Sequence, residues 1–185
     1  MNRSRWCSLL TALTILWADV ARADISESRR AQLIIKALSY DRAIKTRAKA
    51  TVNLAVLTNG SGCEDEVAAL NDAARNARVD GLPLKVATQV WSEDIAAVEA
   101  ALTAANVTAA FVCPGTRGRI SAIVATARKL DILTFAGSEA DVRAGISIGV
   151  VARGSRPVLM VNMSAVKEEG VDLDSALMRF AGTLR

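Results

Sequence analysis

Histidine is absent from this chain of 185 residues. That removes the commonest general base and the commonest metal ligand together. Aromatic residues make up only 4%, so a core must be assembled from Val, Ile, Leu and Ala. No dense basic run interleaved with aromatics is present, which argues against a nucleic-acid partner. After the N-terminal region no apolar run approaches the roughly 20 residues that a membrane-spanning helix needs. No C-x-x-C pair occurs, so thiol–disulfide exchange chemistry lacks its usual motif. Hydrophobic residues at 51% and charged residues at 23% are ordinary for a globular domain and exclude disorder as the starting assumption.

The first 23 residues read as a secretory signal peptide. Arg3 and Arg5 form a positive start, Trp6–Trp17 is uncharged and apolar, and Ala21-Arg22-Ala23 fits a small-x-small cleavage site. Cleavage after Ala23 leaves one domain, 24–185, beginning at Asp24. A lipoprotein reading fails because Cys7 precedes the apolar run. The chain holds 23 basic and 19 acidic residues; the leader takes three Arg and one Asp, leaving 20 against 18. The mature charge is then close to neutral.

Residues 26–46 read as a helix whose stripe Leu33, Ala37, Tyr40 and Ile44 packs on the core. Three strand–helix units follow. Val52–Leu57 is a doubly buried strand, followed by the turn-rich loop Asn59-Gly60-Ser61-Gly62 and a helix carrying Val67, Leu70, Ala74 and Ala77, which ends at Gly81 and Pro83. Leu84–Trp91 alternates as an edge strand does, and Ser92 is placed to cap the next helix. Ala109–Cys113 is the third strand, turned by Pro114-Gly115-Thr116 into a helix, and Ile132–Ala136 is the fourth. Ser138 and Asp141 are spaced as a capping box. Residues 146–150 and Val158–Asn162, joined by a turn at 153–157, read as a β-hairpin at the sheet edge. Two short helices, near 164–169 and 174–183, close the chain, the last presenting Leu177, Phe180, Ala181 and Leu184.

Alternating strands and helices predict an α/β three-layer sandwich. Its sheet is mainly parallel, in the order 2-1-3-4, with the hairpin beside strand 4 and helices on both faces. In such sheets sites lie beyond the strand C-terminal ends. Cys63 and Cys113 both fall there, on neighbouring strand ends. Two remaining cysteines in an oxidising compartment predict one disulfide; two buried or free thiols is the rival reading. The same edge gathers Asn59, Gly60, Ser61 and Gly62 with Pro114, Gly115, Thr116, Arg117 and Arg119. Loop N–H groups at helix starts beside two arginines are suited to a carboxylate or phosphate. Each loop also has a plainer reading, as a capped helix start or a tight turn with solvated arginines. Neither cysteine has a His partner, Ser61 has no evident base, and no carboxylate spacing signals a metal. No catalytic residue, metal or cofactor is assigned.

Three further stretches carry a resemblance. They are Ile35-Lys36-Ala37-Leu38-Ser39-Tyr40-Asp41; Arg143-Ala144-Gly145-Ile146-Ser147-Ile148-Gly149-Val150; and Val161-Asn162-Met163-Ser164-Ala165-Val166-Lys167 followed by Gly170 and Leu177-Met178-Arg179-Phe180-Ala181. In this order they resemble the YfiR-like (YfiR/HmsC) family over nearly the whole mature chain. The resemblance implies a periplasmic α/β domain without catalysis that represses membrane-bound diguanylate cyclases, in cyclic-di-GMP signalling, by engaging the sensor's periplasmic part. A histidine kinase is an equivalent kind of sensor partner. It also implies disulfide support of the fold, of which this chain retains at most one bond. Met178-Arg179-Phe180 departs from the family's more Leu-rich run. The alternative is a periplasmic small-molecule binding module resembling one lobe of a solute receptor, taking a small anionic ligand. A single domain leaves no second lobe to close a cleft. A homodimer is left open.

Overall fold

Val52–Thr58 (β1) lies at the centre of the sheet because its side chains suit burial on both sides: Leu54 and Val56 enter one core, Ala55 and Leu57 the other. The computed structural model describes residues 25–154 and 156–184. The proposed cleavage site after Ala23 therefore lies outside the described residues.

Parallel strands flank β1: Leu82–Val90 (β3) on one side and Val107–Val112 (β4) on the other, followed by Leu133–Ala136 (β5) and Ile148–Arg153 (β6). Arg156–Asn162 (β7) returns antiparallel to β6, as the turn residues between them predict. The expected 2-1-3-4 order is present, with the hairpin beside the fourth strand.

Helices cover both faces. Glu27–Leu38 (α1), Ile44–Ala48 (α2) and Glu64–Ala74 (α3) pack with the core that holds Val56, Phe111, Phe135 and Val161. Ile95–Ala104 (α4) and Ile120–Lys129 (α5) cover Leu57, Val112 and Ala136 on the other face. Short helices Glu139–Arg143 (α6), Met163–Glu168 (α7) and Ser175–Met178 (α8) complete the chain. Ser138 caps α6 as the spacing predicts, its Oγ accepting from Asp141 N at 3.2 Å and donating to Asp141 Oδ2 at 2.6 Å.

Both sheet edges differ from the expectation. The hairpin is not the edge: Ala181–Leu184 (β8) pairs parallel to β7 outside it, where a helix over 174–183 was expected. A glycine and a threonine in a four-residue stretch are weak helix formers, and the open edge of β7 offers unsatisfied backbone groups. At the opposite edge Arg78–Val79 (β2) forms a small antiparallel hairpin with β3 across Asp80-Gly81, both at positive φ. Asp-Gly is a strong hairpin signal, and it ends α3 earlier than the helical pattern implied. The sheet order is β2-β3-β1-β4-β5-β6-β7-β8.

The opening helix is also interrupted. Its buried stripe is Ala31, Ile34, Ala37 and Leu38, with Leu33 and Tyr40 only half-buried. The break comes at Asp41, which is drawn inside to meet Arg47. Its Oδ1 accepts from Ala43 N at 2.9 Å and starts a new turn. Arg47 Nη1 also donates to the carbonyls of Thr108 and Asp131 at 2.8 and 2.6 Å. A buried carboxylate needs such a partner, and no hydrophobic periodicity announces it. Asp94, not Ser92, caps α4, accepting from Ala97 N at 3.0 Å.

Candidate functional site: the strand-end loops

Every loop singled out in the sequence converges on the C-terminal edge of the parallel strands. The loop 59–62 leaves β1 through two glycines at positive φ, Gly60 at 105° and Gly62 at 77°, a conformation that L side chains rarely adopt. Its donors already have partners. Gly60 N donates to Thr58 Oγ1 at 2.9 Å, Ser61 N to Asn59 Oδ1 at 3.4 Å, and Gly62 N to Glu64 Oε1 at 3.0 Å. The exposed Glu64 carboxyl is held below its ordinary pKa by backbone hydrogen bonds, chiefly its own N–H and that of Gly62. With Asp65 and Glu66 it fills the first turn of α3 with negative charge. That arrangement satisfies the helix dipole and competes with any anion at this end.

Cys63 and Cys113 form a disulfide with Cα atoms 6.1 Å apart. Both are buried. The bridge clamps the loop after β1 to the one after β4. Contact continues beyond it: a Cβ on Gly115 would lie 3.0 Å from the Asn59 amide, so the two loops touch because residue 115 has no side chain.

The segment Pro114–Arg119 is a 3₁₀ turn rather than the first turn of an α-helix. Thr116 is buried, and its hydroxyl donates to Cys113 O at 2.7 Å. The two arginines are paired. Arg117, about half exposed, lies 3.3 Å from the buried carboxylate of Asp141, which Ser138 also holds. Arg119 reaches Glu93 at 2.6 Å and donates to Trp91 O at 3.3 Å. The arginines therefore stitch this turn to the loops after β3 and β5. They still present charge to solvent, but a ligand carboxylate must compete with Glu93 and Asp141.

Sequence reasoning missed one further cation. Arg30, which looks like a solvated helix residue, is buried in an ion pair with Glu66 at 3.1 Å and donates to Ile25 O at 3.4 Å. Its guanidinium would meet a Cβ on Gly137 at 3.5 Å, so it underlies the turn after β5. No local signal marks it, because the contact is made 36 residues away. Beside the loops a shallow groove of about 310 Å³ is lined by Thr58, Gly60, Ser61, Cys63, Glu64, Val67, Ala68 and Thr88. Among the described residues no group of three or more Cys, Asp or Glu is placed to hold a metal ion, and no helix is long and apolar enough to cross a membrane.

This α/β architecture is shared with solved structures. The ABC domain from Streptococcus pneumonia in complex with L-Trp superposes with a TM-score of 0.61 at 15% identity, covering 84% of this chain and 60% of that one. A conserved domain protein from Vibrio cholerae gives 0.61 at 16% identity, covering 88% and 61%. The ligand-free, open substrate-binding protein CD0873 from Clostridium difficile gives 0.57 at 14% identity, covering 78% and 58%. The chain spans about three fifths of the length of each. These likenesses show the fold class, an α/β domain with helices on both faces of a mainly parallel sheet. The family model described as YfiR/HmsC-like matches residues 27–182, and the chain belongs to that family. No curated protein sequence matches the chain.

Proposed function

We propose that this domain is a non-enzymatic periplasmic regulator, released by cleavage after Ala23, whose strand-end loops engage the periplasmic part of a membrane sensor. A diguanylate cyclase is the first candidate partner and a histidine kinase the second. Family membership carries the regulatory class. The observation that carries the surface is the clamp: Cys63–Cys113, the Asn59–Gly115 contact and the Arg117 and Arg119 pairs join four loops into one prearranged face. A surface ordered before binding loses less entropy on association.

Crosslinking in periplasm followed by capture identifies the partner. Binding of the captured sensor domain to the Arg117→Ala/Arg119→Ala variant then tests the surface. Two exposed ionic contacts are worth about tenfold in affinity or less, and added salt should mimic the substitution in the unchanged protein. Unchanged affinity in the arginine variant, with loss on altering 164–183, would move the interface to the C-terminal segment. N-terminal sequencing of the exported protein checks cleavage: a product retaining Met1 refutes it.

The second reading, a small-molecule binding module, has one observation behind it. A neighbour of the same fold holds L-Trp, and the groove beside the Asn59–Gly62 loop opens at the strand ends. Calorimetric titration with amino acids and small carboxylates separates the two readings. Saturable heat abolished by filling the groove through Ala68→Trp favours the ligand; no heat alongside sensor capture favours the regulator.

A further inference from the structure

β3 is the last long strand on its side of the sheet, and β2 covers only its start, pairing with Leu82 and Pro83. Among the described residues no strand lies against Leu84–Val90 on the outer side. Two hydrogen bonds fix the direction of the backbone groups there. Leu84 N donates outward to Ala77 O at 3.2 Å, and Trp91 N donates inward to Thr58 O of β1 at 2.8 Å. Successive residues of a strand alternate the side to which they present N–H and C=O, and the β1–β3 register runs from 84 to 90 without a shift. Leu84, Val86, Thr88 and Val90 therefore aim these groups away from β1. Two of the groups are already used: Leu84 N by Ala77 O, and Val90 O by Gln89 Nε2 at 3.0 Å. Leu84 O, Val86 N and O, Thr88 N and O, and Val90 N are left facing outward.

The side chains leave that edge open as well. Lys85 is the only charge from Leu84 to Val90. Ala87 and Thr88 are exposed, and Val90 is 52% exposed. A long edge strand with so little charge is a template for another strand.

We propose that β3 pairs antiparallel with β3 of a second copy of this chain, about a two-fold axis at Ala87, making one sheet continuous through both molecules. This register sets Val86 against Thr88 of the second copy and Leu84 against its Val90. Val86 and Thr88 then exchange both N–H···O bonds, and Val90 N donates to Leu84 O. The register leaves over only Leu84 N and Val90 O, the two groups that the single chain has already paired. An axis at Val86 would set Thr88 O against the occupied Leu84 N and Val90 against the covered Leu82. An axis at Thr88 would carry Leu84 O past the end of the second strand. The side chains fit the same register. Ala87 meets its own copy where an antiparallel pair without direct hydrogen bonds brings Cα atoms to about 4.5 Å. Leu84 and Val86 belong to the core under α3, so on that face the exposed Thr88 and Val90 are covered by apolar side chains. On the other face Lys85 stands opposite Gln89, and the two Lys85 are about 14 Å apart, beyond the screening length of roughly 8 Å. The pairing is independent of whatever the strand-end loops bind.

Sedimentation equilibrium of the exported protein from about 1 to 500 μM tests this. So short an edge is a small interface, and a dimer of micromolar or weaker affinity is expected. Thr88→Pro removes an outward N–H that the single chain does not use, which an edge strand tolerates; the variant should stay folded and lose the dimer. Ala87→Lys and Ala87→Glu each set like charges face to face and should weaken association roughly tenfold, whereas an equimolar mixture of the two should restore it. These exposed substitutions keep the test decisive if Thr88→Pro fails to fold. A monomer at every concentration overturns the proposal. So does a dimer that all three variants leave intact, or a mixture that associates no better than its components. A monomeric chain whose sensor capture is lost in Thr88→Pro would give the edge to that partner and equally overturn self-pairing.

Discussion

Removal of the Cys63–Cys113 crosslink has a magnitude that follows from the chain. The two residues are 50 apart in sequence. Freeing a loop of that length in the unfolded ensemble costs about 4 kcal/mol of stability in the chain-entropy model. The sulfurs are also packed in the core with Leu54, Val56 and Phe111, so a Cys63→Ala/Cys113→Ala variant loses packing as well. Reduction of the unchanged protein removes the crosslink while leaving both sulfur atoms in place. Urea unfolding of the oxidised, reduced and doubly substituted proteins separates the two contributions. With a slope of roughly 2 kcal/mol per M, reduction alone should lower the midpoint by about 2 M. It should also steepen the transition, since the unbridged chain exposes more surface. The double substitution should cost somewhat more. If reduction leaves the midpoint within about 0.5 M of the oxidised value, the loop-closure argument fails. Two free thiols per unfolded, unreduced chain would remove the bridge itself.

Three further outcomes are expected. Stability should fall as pH rises, because the Glu169 carboxyl, whose folded pKa is raised by burial, stabilises fully below its ordinary value of 4.5 and loses that contribution as pH passes about 7; the difference between pH 4.5 and pH 8 is roughly 3 kcal/mol, and urea midpoints that are no more pH-dependent than those of Glu169→Gln would refute it. Asp41→Ala should cost about 3–5 kcal/mol by leaving the Arg47 guanidinium buried beside carbonyls without its carboxylate, whereas Asp41→Ala/Arg47→Met should recover much of the loss; equal costs would show that the pair is not what matters. Gly149→Ala should cost about 1–3 kcal/mol, since its Cβ would fall 2.5 Å from Val142 Cγ2 under α6, and Val142→Ala on top of it should relieve the strain in a thermal melt.

Much of the fold was legible because its causes are local. The doubly apolar run of β1, the alternation along β3 and the turn residues between β6 and β7 each report burial within a few residues. Chain-order rules then sufficed to bring Cys63 and Cys113 to one edge. The four-residue α8 and the β8 strand were not legible. Leu177, Phe180, Ala181 and Leu184 fit a helical stripe, and only the unfilled edge of β7 selects a strand for 181–184. Likewise Ser92 and Asp94 are both acceptable caps, and geometry chose Asp94.

The sequence by itself determined the parallel α/β architecture, the meeting of the two cysteines, and the gathering of Asn59–Gly62 with Pro114–Arg119 at the strand ends, because these follow from periodicity and connection rules. Tertiary structure alone decided what the charges there do. Arg117 and Arg119 face Asp141 and Glu93, Arg30 is drawn under Gly137 by Glu66, and Glu169 is sealed against Thr134 and Ser147. Those partners lie 24 to 36 residues apart for Arg117, Arg30 and Thr134. A side chain's charge is written in its own residue, but its pairing and its distance from water depend on residues that only folding brings near.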